Sequence, residues 1–170
     1  MMFRRRLTAA TLALMLTLAC ALPSLAREPI ALSDNGVAAA PLTEEALRAL
    51  PATTLDVSFL TSRGEEKARF TGALLWTVLT ANRLVDPDAH KGLLRRIVVV
   101  TARDGYVLAL SAGELAPELG ARQVLLAYER DGAPLPLEKG LRLVVPGDIR
   151  GARSVYDVAR IDVRTVEAAR

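Results

Sequence analysis

The 170 residues are 51% apolar but only 4% aromatic, so a core has to be built from Leu, Val, Ile and Ala. That length suits one domain with a sizeable interior. Three of the 22 basic residues, Arg4, Arg5 and Arg6, fall in an N-terminal segment holding none of the 19 acidic ones; the remainder balances at 19 of each sign, and no basic run interleaved with aromatics points to nucleic acid.

Met1–Ala26 reads as a secretory signal. Arg4–Arg6 form the positive region, Leu7–Leu22 the apolar stretch, and Ser24-Leu25-Ala26 a small-x-small cleavage site. Cleavage there implies a periplasmic or secreted protein with no membrane span, since the apolar run is shorter than the ~20 residues a spanning helix needs. A rival reading anchors the chain as a lipoprotein through Cys20, but Thr17 stands where such signals carry Leu; the three arginines fit twin-arginine export poorly. Cleavage also removes Cys20, Met1, Met2 and Met15, the only sulfur-bearing residues. Disulfides, thiolate metal sites and cysteine nucleophiles go with them.

Residues 27–41 are polar, Ala-rich and aperiodic, as expected of a leader that is flexible or lies over the surface. The domain is expected over residues 42–166. Thr43 is placed to cap a short helix ending before Pro51, with Glu44 and Glu45 in its first turn. Leu55, Val57 and Phe59 alternate with Asp56 and Ser58 in a predicted strand over 53–61; a turn at 62–65 and a return strand over 67–71 complete a hairpin. Leu74, Leu75, Val78 and Leu79 give a helical stripe over 72–82, with Trp76 off the stripe and read as covering a core edge rather than stacking on a ligand. Arg95–Ala102 has no polar face and predicts a central strand covered on both sides. Asp104-Gly105 turns the chain into a strand over 106–110, and Ser111 with Glu114 fits a capping box. Strands over 124–128, 141–145 and 158–163, separated by Asp131-Gly132, Lys139-Gly140 and Pro146-Gly147 turns, complete a single α+β domain with a mixed sheet and few, short helices.

In that order and spacing, several motifs resemble the molybdopterin-binding domain of the sulfite oxidase family. The match runs from about Phe70 to Val163. It comprises Phe70-x-Gly72 with Leu75 and Leu79, Asp104-Gly105-Tyr106, Leu125–Tyr128, Asp131-Gly132-x-Pro134-Leu135, Gly140, Arg142–Gly147 and Gly151–Val155. The resemblance implies the family's mixed-sheet fold, and in its enzymes a molybdenum held by a cysteine on the strand just before Phe-x-Gly, where a soft thiolate is required. Here that segment, Val57–Ser62, has no cysteine. The family's His-Gly appears as Lys139-Gly140, and its Lys-Trp after the Gly-Ala-Arg turn as Tyr156-Asp157. Arg142 and Arg153 do match.

The resemblance marks Arg142 as an arginine aimed into a cleft to hold an anion, a task its guanidinium suits; the plain reading is a solvated arginine on the polar face of a strand. Arg150, Gly151 and Arg153 form a basic loop whose amides could cradle a phosphate, or an ordinary surface loop. Asp104 and Tyr106 stand where family enzymes place an active-site rim, and equally make a good turn and strand start. Lys139 completes the candidates for cofactor or ligand contact. No catalytic residue and no metal ligand is identified. His90 has no second His or Cys beside it, and the pairs Glu65/Glu66 and Asp86/Asp88 read as solvated turn charges. Two functions follow as expectations: an exported accessory module of this fold, without cofactor, that binds a small anionic ligand or an envelope protein partner, or a molybdopterin-dependent oxidoreductase that keeps its cofactor through Arg142 and Arg153.

Overall fold

A computed structural model describes residues 27–167; Cys20 and the rest of the stretch read as a secretory signal lie outside them. Two five-stranded sheets account for the architecture. The first has the order β2–β1–β10–β5–β6, from β1 (Ala31–Asp34), β2 (Val37–Ala38), β5 (Arg96–Ala102), β6 (Val107–Ser111) and β10 (Val158–Thr165). Only β1 and β10 run parallel in it. The second joins β3 (Ala52–Thr61), β4 (Gly64–Leu74), β7 (Leu125–Arg130) and β8 (Ala133–Pro134) in that order, with β9 (Arg142–Val144) also paired to β7, all antiparallel. This is the α+β, mixed-sheet, single-domain class that the residue patterns predict.

The helices are short: α1 (Glu44–Arg48), α2 (Leu75–Ala81), α3 (His90–Leu93) and α4 (Ala112–Leu115). No helix among the described residues is long and apolar enough to cross a membrane. Thr43 Oγ1 accepts from the Ala46 amide at 3.1 Å, the expected cap of α1. At α4 only half of the capping box forms. Ser111 Oγ accepts from the Gly113 amide, but Glu114 turns its carboxylate to Arg122 and Arg153 instead of back to the cap.

The main core collects apolar side chains from both sheets and from α1 and α2, including Val98, Val100, Ile161, Leu126, Leu143 and Leu79. A smaller core, with Val57, Phe59, Phe70, Leu125 and Val144, lies on the other face of the second sheet. Strand alternation separates them: Leu126 and Leu143 point into the first, while Leu125, Ala127 and Val144 point into the second.

Three expectations are corrected. Residues 27–41 are not a loose leader: β1 pairs with β10, Ile30 and Leu32 join the main core, and the buried Arg27 side chain reaches Glu44 and the Leu135 carbonyl. Strand β5 is central but not covered on both sides, because Val98, Val100 and Ala102 are buried while Ile97, Val99 and Thr101 are half-buried. The helix expected from Gly72 begins three residues later, since Gly72–Leu74 continue β4 against β7. The apolar run there satisfies both periods, and strand pairing takes its first part.

Candidate functional site

Period two on β9 turns Leu143 into the main core and Arg142 into the smaller one. Arg142 is only 2% exposed, so its charge has to be met inside. Its Nη1 donates to Glu66 Oε1 at 2.9 Å and its Nε to Ser154 Oγ at 2.9 Å. The Tyr156 ring covers the guanidinium, 4.0 Å from Cζ to the ring centroid, and Phe70 lies at 4.9 Å. Such stacking favours a desolvated cation. Burial pushes the Glu66 carboxyl up, but the hydrogen bond and charge of Arg142, with the charges of Arg130 and Arg63, outweigh it and hold the group below its usual range. Arg142 therefore stands neither open in a cleft nor on a solvated face.

Arg153 is also engaged internally. Its Nε donates to Asp148 Oδ2 at 2.8 Å, Nη2 donates to Oδ1, and Nη1 reaches Glu114 at 3.1 Å. The hydrogen bond from Arg153 holds the Asp148 carboxyl below its usual range against the opposing effect of burial, with help from Arg122. The same contact raises the guanidinium still further above neutrality. Gly151 has a packing reason of its own: a Cβ there would stand 2.6 Å from the Phe59 ring.

Around Tyr156 two adjoining recesses open, of about 610 and about 370 Å³. Arg63, Arg142 and Tyr156 line both; Lys139 and Asp157 belong to the larger, Arg150 and Gly151 to the smaller. Arg63, Lys139 and Arg150 are exposed and form no ion pair among the described residues. Tyr106 joins the rim by donating its hydroxyl proton to the Ala152 carbonyl at 2.7 Å. Asp104 lines neither recess; its carboxylate accepts from the Tyr106 amide and closes the turn. Arg153 also lies outside both.

The two polar substitutions noted in the sequence are neighbours. The Asp157 amide donates to the Lys139 carbonyl at 3.2 Å. Gly140, at φ 61°, has no room for a side chain, since a Cβ would meet Asp157 Oδ1 at 2.2 Å.

Sequence reasoning missed Asp148 and Arg63, and it misread Glu66 as a solvated turn charge, whereas Glu66 is a half-buried residue of β4 paired with Arg142. Glu66 could have been found: it lies two and four residues before Ala68 and Phe70, so alternation puts it on the face of Phe70, whereas Glu65 faces solvent and pairs with Lys67. Asp148 and Arg63 sit in turns, where no period fixes direction. His90 lies on α3 rather than in a loop, exposed and paired with Glu118. Trp76 packs against the main core.

The end of the β3–β4 hairpin is where the resemblance places a metal-binding thiolate. Thr61 Oγ1 there donates to the Gly64 carbonyl at 2.8 Å and accepts from the Arg63 amide at 3.1 Å, so its hydroxyl is taken up by the turn. Residues 27–167 contain no cysteine, and no group of three or more His, Asp or Glu among them could hold a metal. This donor set does not fit a thiolate-ligated metal.

Two sheets with partly cationic recesses at a hairpin end make up a single α+β domain. A family model for the oxidoreductase molybdopterin binding domain matches residues 43–170, and the chain belongs to that family. It is 37% identical over 109 residues to the mitochondrial sulfite oxidase of Mus musculus and 35% identical to that of Homo sapiens. Those matches cover 59% of this chain and 18% of the relatives, so the chain spans less than a fifth of their length. Among solved structures it is similar to the sulfane dehydrogenase SoxCD of Paracoccus pantotrophus, with a TM-score of 0.64 and 19% identity over 85% of this chain and 40% of that one. That likeness is one of fold.

Proposed function

We propose that the chain is exported through its N-terminal signal and works, without metal or redox chemistry, as an accessory module that binds anionic groups in the recesses around Tyr156. One observation carries this reading. The two arginines that match the family are spent on internal carboxylates, Arg142 on Glu66 and Arg153 on Asp148, while Arg63, Lys139 and Arg150 line the recesses without an ion pair among the described residues. Arginine at an open recess is suited to oxyanion contact. The hairpin end adds support, because its hydroxyl serves the turn where a metal centre would need a thiolate.

Thermal-shift titration with sulfate and phosphate tests the binding reading. Both anions are expected to raise the melting temperature of the wild type, and the Arg63→Ala/Arg150→Ala variant should lose most of the rise. An equal rise in that variant, or none in the wild type, contradicts the assignment. Family membership favours a second reading, a molybdopterin-dependent oxidoreductase; its signature is metal content.

A further inference from the structure

Of the ten large apolar side chains exposed among the described residues, Leu60 and Tyr156 line the recesses, and Tyr106 and Ile149 are hydrogen-bonded to lining residues, Ala152 and Leu60. The protein has only three tyrosines, and two of them stand here. Ile149 is 80% exposed, the most of the ten, although it sits in a tethered segment: its carbonyl accepts from the Leu60 amide at 2.9 Å. Arg150 follows it, and Arg63 lies just beyond Leu60 at the hairpin end. Tyrosine and arginine are the residues enriched in protein-recognition sites.

We infer that this rim docks an extended, acidic segment of a partner protein, with apolar side chains meeting Ile149, Leu60 and Tyr106 and carboxylates meeting Arg63, Arg150 and Lys139. The inference rests on the binding-module reading and names the kind of partner for the same site. Charge favours such a partner: three cations without ion pairs among the described residues face solvent here, and of the carboxylates in the walls Glu138 is exposed, while Asp157 is paired with Arg103 and Glu66 with Arg142. A free ion would account for the arginines but would leave Ile149 and Leu60 in water. A flat anionic membrane could cover Ile149 but could not fill the two recesses on either side of Tyr156. A peptide does both, because alternate side chains of an extended segment can enter neighbouring recesses.

The test is fluorescence anisotropy of the full domain with a labelled short peptide of alternating Glu and Val, the matching Lys and Val peptide, and phosphatidylglycerol vesicles as a competing surface. The acidic probe should bind the wild type and weaken as salt rises. Ile149→Asp and Arg63→Ala/Arg150→Ala should each weaken it about tenfold or more, while Leu94→Asp, which alters an exposed leucine outside both recesses, should not. Equal binding of the Lys probe, unchanged affinity in the rim variants, or binding to vesicles alone overturns the inference. If phosphate stabilises the wild type but the acidic probe does not bind, the partner assignment falls and the anion-binding module stands. If neither acts, both fall.

Discussion

Glu66 decides what Arg142 does. With Glu66 in place the buried guanidinium has a carboxylate at 2.9 Å and an aromatic lid; without it a charge is left unmatched in the smaller core. Glu66→Ala is expected to cost about 3 kcal/mol in urea denaturation, and the double replacement Glu66→Leu/Arg142→Met should recover most of that, since an apolar pair of similar volume is as good as a buried ion pair. The same carboxylates set a pH dependence. Glu66 and Asp148 are held below their ordinary values of 4.5 and 3.8, so the stability they contribute is complete above those values and is lost as pH falls through the folded-state ones. Denaturation midpoints should therefore fall as pH drops below 4.5, and less steeply in Glu66→Ala. The sequence pointed to Arg142 because a motif contains it. Alternation on β4 could have turned Glu66 inward, but its pairing with Arg142 was not readable, since the two stand 76 residues apart in the chain.

At the scale of elements, close approach explains positions that composition alone left neutral. Gly72 lies where β4 crosses β7 with a register shift, and a Cβ there would stand 2.1 Å from the Leu126 carbonyl oxygen. Gly72→Ala should destabilise the domain by about 3 kcal/mol through forced separation of the strands, measured by chemical denaturation. The β3–β4 hairpin, the α1 cap and the Asp131-Gly132 turn were legible beforehand. Each is written in neighbouring residues: alternation, a threonine before two glutamates, and two residues with positive φ between β7 and β8. What was not legible depends on distant pairing. β1 reads as an aperiodic leader because its longer pairing, with β10, is to the other end of the chain and its local partner β2 is only two residues long, and β5 reads as doubly covered although nothing local says which face a second layer reaches.

For the whole molecule, architecture and site tell different stories. The family's fold is complete enough to be matched over residues 43–170, and its order of glycines, prolines and aliphatic strands was readable in the sequence. The polar positions at the cleft answer one another: Lys139-Gly140 packs on Asp157, Tyr156 lies over Arg142, and the Thr61 hydroxyl serves the hairpin turn. We propose that this domain keeps the sheets of the molybdopterin-binding family and uses the cleft at the hairpin end for binding alone. The decisive measurement is molybdenum content per chain, determined by mass spectrometry on the full-length protein purified from its native host. The account predicts a colourless protein with no more than trace molybdenum; a stoichiometric, tightly held molybdenum would contradict it.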